Sequence, residues 1–298
     1  MENKPEINYG EIVGNVFWKF FSQNKLSRCK SIYHYTDLNA LINGIIVPKP
    51  EEGKEICLWA TRCTHMNDKK ELKEGLQSAI RSLLASFDNK DQDVINLVKG
   101  AAKRAYEDVK FSHIISFSMT KDSLPMWNTY GCNASGVMLV FDVENLYETN
   151  AFMVPCIYKG DFYYEKSQQR FSNFDILSND ERPNGAVLAP EFSGFVLSLI
   201  IAYYILLLKN NDFEYENEIR MLCAGTPLSE EQSEIKYRIN NKGMITPYVE
   251  AYFPKEVLKE VWIGPTRNID LTVETLREYL DSRGFEHTKV VKSKVPYR

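Results

Sequence analysis

No G-x-G-x-x-G, Walker A loop, G-x-S-x-G elbow or H-E-x-x-H occurs in the 298 residues. Each of those motifs needs glycines or ligands at fixed offsets, so their absence removes the commonest dinucleotide-fold, P-loop, hydrolase and zinc-protease readings. The six cysteines (Cys29, Cys57, Cys63, Cys132, Cys156, Cys223) include no C-x-x-C pair, and no histidine stands at zinc-finger spacing. The expectation is buried thiols in a reducing compartment, with neither a metal knuckle nor a disulfide framework. Charge of either sign is not in strong excess: 36 Lys and Arg against 40 Asp and Glu leave a net charge of -4. Such a balance argues against a surface that coats nucleic acid in bulk, while leaving nucleic acid open as a substrate. The opening stretch MENKPEINYGEIVGN lacks the basic and apolar regions of a secretory signal, so a cytoplasmic protein is expected. Internal repeats, low-complexity tracts and long linkers are missing as well, which favours one elaborated domain.

Long apolar runs are scarce. One exists, residues 192–208 (FSGFVLSLIIAYYILLL), 17 residues without a charge. It is shorter than the roughly 20 needed to span a bilayer and is followed at once by Lys209. A central helix buried on all sides, not a membrane span, is the expected structure.

What is present alternates between strand-like and helix-like patterns. Residues 10–22 place Ile12, Val13, Val16, Phe17, Phe20 and Phe21 at helical spacing, so 1–30 is expected to supply an amphipathic helix packed on the body. A short β-prone run at 32–35 precedes a helix capped by Thr36 or Asp37 and ended by Gly44. A strand at 56–60 follows. Two amphipathic helices then form an insertion over about 68–109, the first capped by Asn67 or Asp68, with Asp68 and Glu71 at capping-box spacing. Strands are expected at 113–118, 136–143 and 154–158, and a surface excursion over 161–190 that holds a substrate lid. After the apolar helix come a strand carrying Glu216 and Glu218, two strands around the turn at 241–243, a strand at 261–264, a helix at 271–282 and a closing strand at 286–291. Strands in mixed order with helices inserted between them define an α+β chain with a mixed, largely antiparallel sheet rather than a doubly wound array.

Several polar residues are candidates for chemistry. Glu216 and Glu218, two apart on a strand, would share a face; their mutual repulsion raises one pKa unless cations such as Arg220 hold them. The same pattern fits an ordinary exposed edge. His34 sits before a helix N-terminus, where N–H groups and a partial positive charge meet ligands, or else it is a hydrogen-bonded core histidine. Trp127 and Tyr130 fall on one face of a helical turn, as a sandwich for a flat ligand or as core. His65, Asn67, Asp68 and Glu71 offer a metal-ligand reading, which capping also explains.

Taken in order, IYHYTDLNALING, HMNDKKEL, HIISFSMTKDSLPMWNTYG, GVMLVFDV, FEYENEIRML and VWIGP resemble a large bacterial family of unknown function. That family carries Y-H-Y-T, N-D-P-x-E, S-F-S, M-W-x-x-Y and Y-E-x-E-x-R segments, and the likeness covers most of 31–298. It is in turn similar to the ADP-ribosyltransferases, which split NAD between nicotinamide and ribose. The resemblance implies a single domain of that type over 31–298, with NAD as substrate and His34, Ser116 or Ser118, and Glu218 in the three strand positions, Glu216 being the companion acid. It further implies that Glu218 holds a ribose hydroxyl while oxocarbenium charge grows, that Glu216 takes the proton of the attacking group, and that His34 donates to a ribose hydroxyl. Tyr35 and Thr36 beside His34, Ser116, Ser118 and Arg220 complete the NAD-binding set, with Trp127 or Tyr130 on the nicotinamide ring. The implied acceptor is a macromolecule, protein or nucleic acid, or water, in a toxin or phage-defence setting. Two departures stand out: Tyr35 replaces a glycine common in the transferases, and Lys69 replaces the proline of N-D-P-x-E. The alternatives are a non-catalytic nucleotide- or protein-binding module, and a metal-dependent nuclease using His65, Asp68 and the glutamate pair.

Overall fold

In the computed structural model, residues 29–66, 70–86, 92–149, 152–158, 190–223, 234–240, 243–266 and 269–296 are described. The expected helix at 10–22, the Asp68 cap and nearly all of the lid region 161–190 lie outside them. The elements in chain order begin with β1 (Ser31–Thr36), β2 (Ile56–Arg62), α1 (Glu71–Ser86), α2 (Gln92–Val109) and β3 (His113–Ser118). Next come α3 (Leu124–Tyr130), β4 (Val137–Asp142), α4 (Val143–Glu148), β5 (Phe152–Pro155), β6 (Ile157–Tyr158), α5 (Pro190–Leu207) and β7 (Leu208–Lys209). The chain continues through β8 (Glu218–Leu222), β9 (Lys236–Ile239), β10 (Ile245–Phe253), β11 (Leu258–Ile263), α6 (Ile269–Ser282) and β12 (Lys289–Lys292).

The sheet runs β12-β11-β4-β1-β3-β2-β10-β9, with β8 added to β3 and β5 to β8. The pairings are antiparallel except β11–β12 and the separate short pair β6–β7. Mixed α+β architecture with a largely antiparallel sheet is therefore correct. Alternation along the strands divides the side chains between two faces, as the two-residue period requires. Val137, Leu139 and Phe141 of β4 join the main core with Ile32, Ile115, Phe117, Ile219 and Met221, under Leu276 and Leu280 of α6. Met138 and Val140 face the other way and pack with Tyr35, Met126, Trp127 and Trp262.

A second apolar layer explains the long uncharged run. Ile201, Ile205 and Leu206 of α5 are fully buried against Ala79 of α1 and Val98, Ala102 and Ala105 of α2. A helix with no polar face can persist only when covered all round, and the inserted pair α1–α2 supplies that cover. Among the described residues no helix is long and apolar enough to cross a membrane.

One feature of the sheet positions the site. β8 pairs with β3 along five residues, from Ile114↔Leu222 to Ser118↔Glu218. The opposite edge of β3 is shared by two strands: β1 meets it only at Tyr33↔Ser118, and β2 only at Thr61↔Ile114 and Arg62↔His113. β1 and β2 therefore diverge from β3 like the arms of a fork. Residues 115–117 have no ladder partner on that edge among the described strands, and a gap opens through the sheet there.

Candidate functional site

A cavity of about 300 Å³ fills the fork, lined by Tyr33 to Thr36 of β1, Trp59 and Thr61 of β2, and Ile114 to Ser118 of β3. Lys209, Glu216 and Glu218 line it as well, as do Arg238 of β9 and Asn240. The divergence of β1 lets His34 reach this space, although it alternates with the two tyrosines. Its Nδ1 lies 3.0 Å from the carbonyl of Ser116, and its ring meets Phe117 edge-on at 5.8 Å between centroids. A carbonyl only accepts, so Nδ1 carries the hydrogen. Burial lowers the His34 pKa, Arg238 adds to the effect, and the Ser116 carbonyl opposes it. The ring is thus neutral near pH 7, and Nε2 is an acceptor, where a donor to a ribose hydroxyl was expected.

The helix that was to follow His34 is only one turn, Leu38–Ala40, running into a wider turn at Leu41–Ile45. Asp37 caps it, accepting from Ala40 N at 2.7 Å. So short a helix has little dipole, and its cap takes one of the free N–H groups, so it gives no anion site beside His34.

The acidic pair converges, but not by strand alternation. Glu216 ends a 3-10 segment, Asn211–Glu216, and Asn217 reverses the chain in the left-handed region at φ 43° before Glu218 opens β8. The backbone reversal, and Lys209 lying between them, brings the two carboxylates together. Lys209 donates to Glu218 Oε2 at 2.5 Å and also to Glu216 Oε2. Arg220 grips Glu218 with Nε on Oε1 and Nη2 on Oε2, both at 3.1 Å, and reaches Glu71 and the Leu206 carbonyl as well. Cys156 Sγ lies 3.5 Å from Glu218 Oε2. Burial alone would raise the Glu218 pKa, but Arg220 and Lys209 overcome it and hold the carboxyl at about 2. Glu71, buried beside the same arginine, is shifted upward because desolvation outweighs the attraction of Arg220. Glu216 accepts from the Tyr130 hydroxyl at 2.7 Å on Oε1.

These contacts assign unequal capacities. Each carboxylate oxygen has about two acceptor positions. Glu218 Oε2 already has three neighbours and Oε1 one, whereas each Glu216 oxygen holds one bond, so Glu216 is the acid with more room for a ligand. Arg220 is fully buried and committed to Glu71, Glu218 and Leu206, which makes it a holder of the acid rather than a ligand contact.

The remaining expected site residues separate in the same way. Ser116 lines the cavity with its hydroxyl oxygen buried and unpartnered. Ser118 is structural: its hydroxyl donates to the Glu216 carbonyl at 2.5 Å and accepts from Thr120 N at 2.9 Å. Thr36 lines the cavity. Tyr35 is pinned by its hydroxyl to the Thr120 carbonyl at 2.9 Å, with burial raising its pKa. Trp127, expected on the ligand ring, is fully buried, donates Nε1 to Asp122 at 2.8 Å and stands edge-on to Tyr35. Of the aromatic pair only Tyr130 reaches the cavity, because a seven-residue helix turns the indole into the core. Lys209, Trp59 and Arg238 were not anticipated, and Glu71 was weighed only as a cap or a metal ligand. Lys209 meets its acids through the turn at Asn217, and Arg238 and Trp59 come together from strands far apart in sequence. His65 also lines the cavity, but no group of three or more His, Cys, Asp or Glu side chains placed to hold a metal occurs among the described residues.

The fold and site define an α+β protein with a polar cavity in a forked antiparallel sheet. Comparison with known families finds in it, at residues 126–221, a domain described as a protein of unknown function (DUF2971). Tyr130, Glu216, Glu218 and Arg220 fall inside that match, whereas His34, Ser116 and Arg238 fall outside it. No curated protein and no solved structure matches the chain.

Proposed function

We propose that the cavity binds NAD and breaks its nicotinamide–ribose bond, passing ADP-ribose to a macromolecular acceptor or to water, on a fold of ADP-ribosyltransferase type. The observation that carries this reading is the meeting of His34, Ser116, Tyr130 and Glu216 around one cavity at the sheet fork. Its volume, about 300 Å³, lies at the lower end of ligand pockets, and suits the nicotinamide riboside half of the dinucleotide. Three carboxylates (Glu71, Glu216, Glu218) face two cations (Lys209, Arg220) in the wall. A wall of that composition favours the charged nicotinamide ring and the oxocarbenium ion that follows it. As the C1′–N bond breaks, the electron pair leaves with neutral nicotinamide. Glu216 takes the proton of the incoming hydroxyl, Tyr130 orients that carboxylate, and Glu218 acts through Lys209 rather than on the sugar.

A second reading, a nucleotide-binding module without turnover, is favoured by the crowding of Glu218 Oε2 with internal partners. One experiment separates them. Full-length protein is incubated with NAD, and free nicotinamide and bound NAD are both measured. Release by the wild type, reduced by about 10²-fold or more in Glu216→Gln with NAD binding retained, supports the enzyme. Binding without release supports the module, and neither binding nor release sinks both.

A further inference from the structure

The lining of the cavity also holds an arginine without a carboxylate. Arg238 Nη2 donates to Thr61 Oγ1 at 3.0 Å, and its guanidinium lies 5.2 Å from the Trp59 ring centroid and 5.9 Å from that of Tyr248. Two aromatic faces and a hydroxyl fix the plane of the fork, yet Nε is buried with no partner. Glu250, the register partner of Trp59, is already engaged: it accepts from Lys236 at 2.7 Å and from Tyr252 at 2.6 Å. No ion pair involves Arg238 among the described residues. A planar cation pre-oriented at a cavity wall, partly desolvated and lacking an anion, matches the bidentate geometry of an oxyanion. Glu216, which lines the same cavity, repels such a group, so the anionic end of a ligand is favoured at Arg238 over the acids.

We propose that Arg238, set by Thr61 and Trp59, is a phosphate subsite of this cavity, so that the ligand taken is a phosphorylated nucleoside and not the free nucleoside. The assignment rests on the reading above for the identity of the other end, but its chemistry needs only that a nucleoside occupy the cavity.

The test compares two probes that differ by one phosphate, nicotinamide mononucleotide and nicotinamide riboside, by calorimetry on the full-length protein. The wild type is expected to bind the mononucleotide at least tenfold more tightly. Arg238→Gln should erase that preference by weakening the mononucleotide alone. Thr61→Val, which leaves the charge but frees its orientation, should narrow the preference, and Arg238→Lys should restore part of it. Equal affinities in the wild type, no binding of the mononucleotide, or equal weakening of both probes by Arg238→Gln would overturn the subsite. Nicotinamide release from NAD, measured on the same proteins, separates the two proposals. A phosphate preference without release leaves the subsite standing and removes the enzyme, whereas release without a phosphate preference does the reverse.

Discussion

The chemical state of His34 is set by its neighbours. The Ser116 carbonyl at 3.0 Å fixes a hydrogen on Nδ1, and burial depresses the pKa below 6.5. Long-range nitrogen–proton NMR should show the Nδ1–H tautomer at pH 7 and a titration below 6.5. The sign of the stability effect follows. As pH falls through 6.5 the unfolded chain takes up a proton that the native ring refuses, so the wild type loses stability until the lower native value is reached. His34→Gln should flatten urea midpoints across that window, and a variant that parallels the wild type there would contradict the assignment. The neutral ring also makes His34 an acceptor for a ligand hydroxyl, which complements Arg238, a donor in the same cavity lining.

Among the helices, two glycines are predicted to respond oppositely to the same methyl group. Gly75 in α1 is buried where α1 crosses α5, and a Cβ there would stand 3.2 Å from both the Cα and the carbonyl oxygen of Ile205. Backbone cannot yield as a side-chain tip does, so Gly75→Ala should destabilise by about 1–3 kcal/mol through overpacking. Gly100 in α2 is exposed, with nothing within 4 Å of a built Cβ. There Gly100→Ala should stabilise by about 0.5–1 kcal/mol by reducing the freedom of the unfolded chain. Denaturant midpoints of the two variants check both signs: a stabilising Gly75→Ala would mean that the crossing of α1 on α5 is looser than described, and a destabilising Gly100→Ala that its site is not open.

At the scale of the whole molecule, the buried ion cluster ties the helical layer to the sheet. Glu71 belongs to α1, the Leu206 carbonyl to α5, Lys209 to β7 and Glu218 and Arg220 to β8, so one guanidinium joins three elements. Removing one partner strands the others without solvent, and Glu218→Gln should cost about 3–5 kcal/mol at neutral pH. Because the native pKa of Glu218 lies near 2 and its ordinary value near 4.5, its contribution is complete above pH 4.5 and disappears as pH falls through 2. Unfolding measured at pH 7, 4 and 3 should show the gap between wild type and variant closing as acid is added. A constant gap would place the stabilising charge elsewhere.

The sequence by itself determined whatever depends on neighbours along the chain. A nearly continuous apolar run marked β4 as a buried strand, the 3.6-residue period marked α1, α2 and α6, and an uncharged run too short for a bilayer pointed to a helix covered on every side. It also brought His34, Ser116, Glu216 and Glu218 forward as site candidates, and all four line the same cavity. What it could not determine were the relations that come from packing distant segments. Trp127 and Tyr130 are equivalent by spacing, and only the burial of α3 sends one to the core and the other to Glu216. Lys209 reads as the polar end of an apolar helix until the turn at Asn217 folds two acids onto it, and Arg238 reads as an exposed edge residue until Trp59 arrives from β2. The fork that makes the cavity is of the same kind, because two strands competing for one edge of β3 leave no mark on any local stretch of sequence. Helix caps and hydrophobic period act within a few residues, whereas the charge balance and shape of a site are sums over segments that meet only after folding.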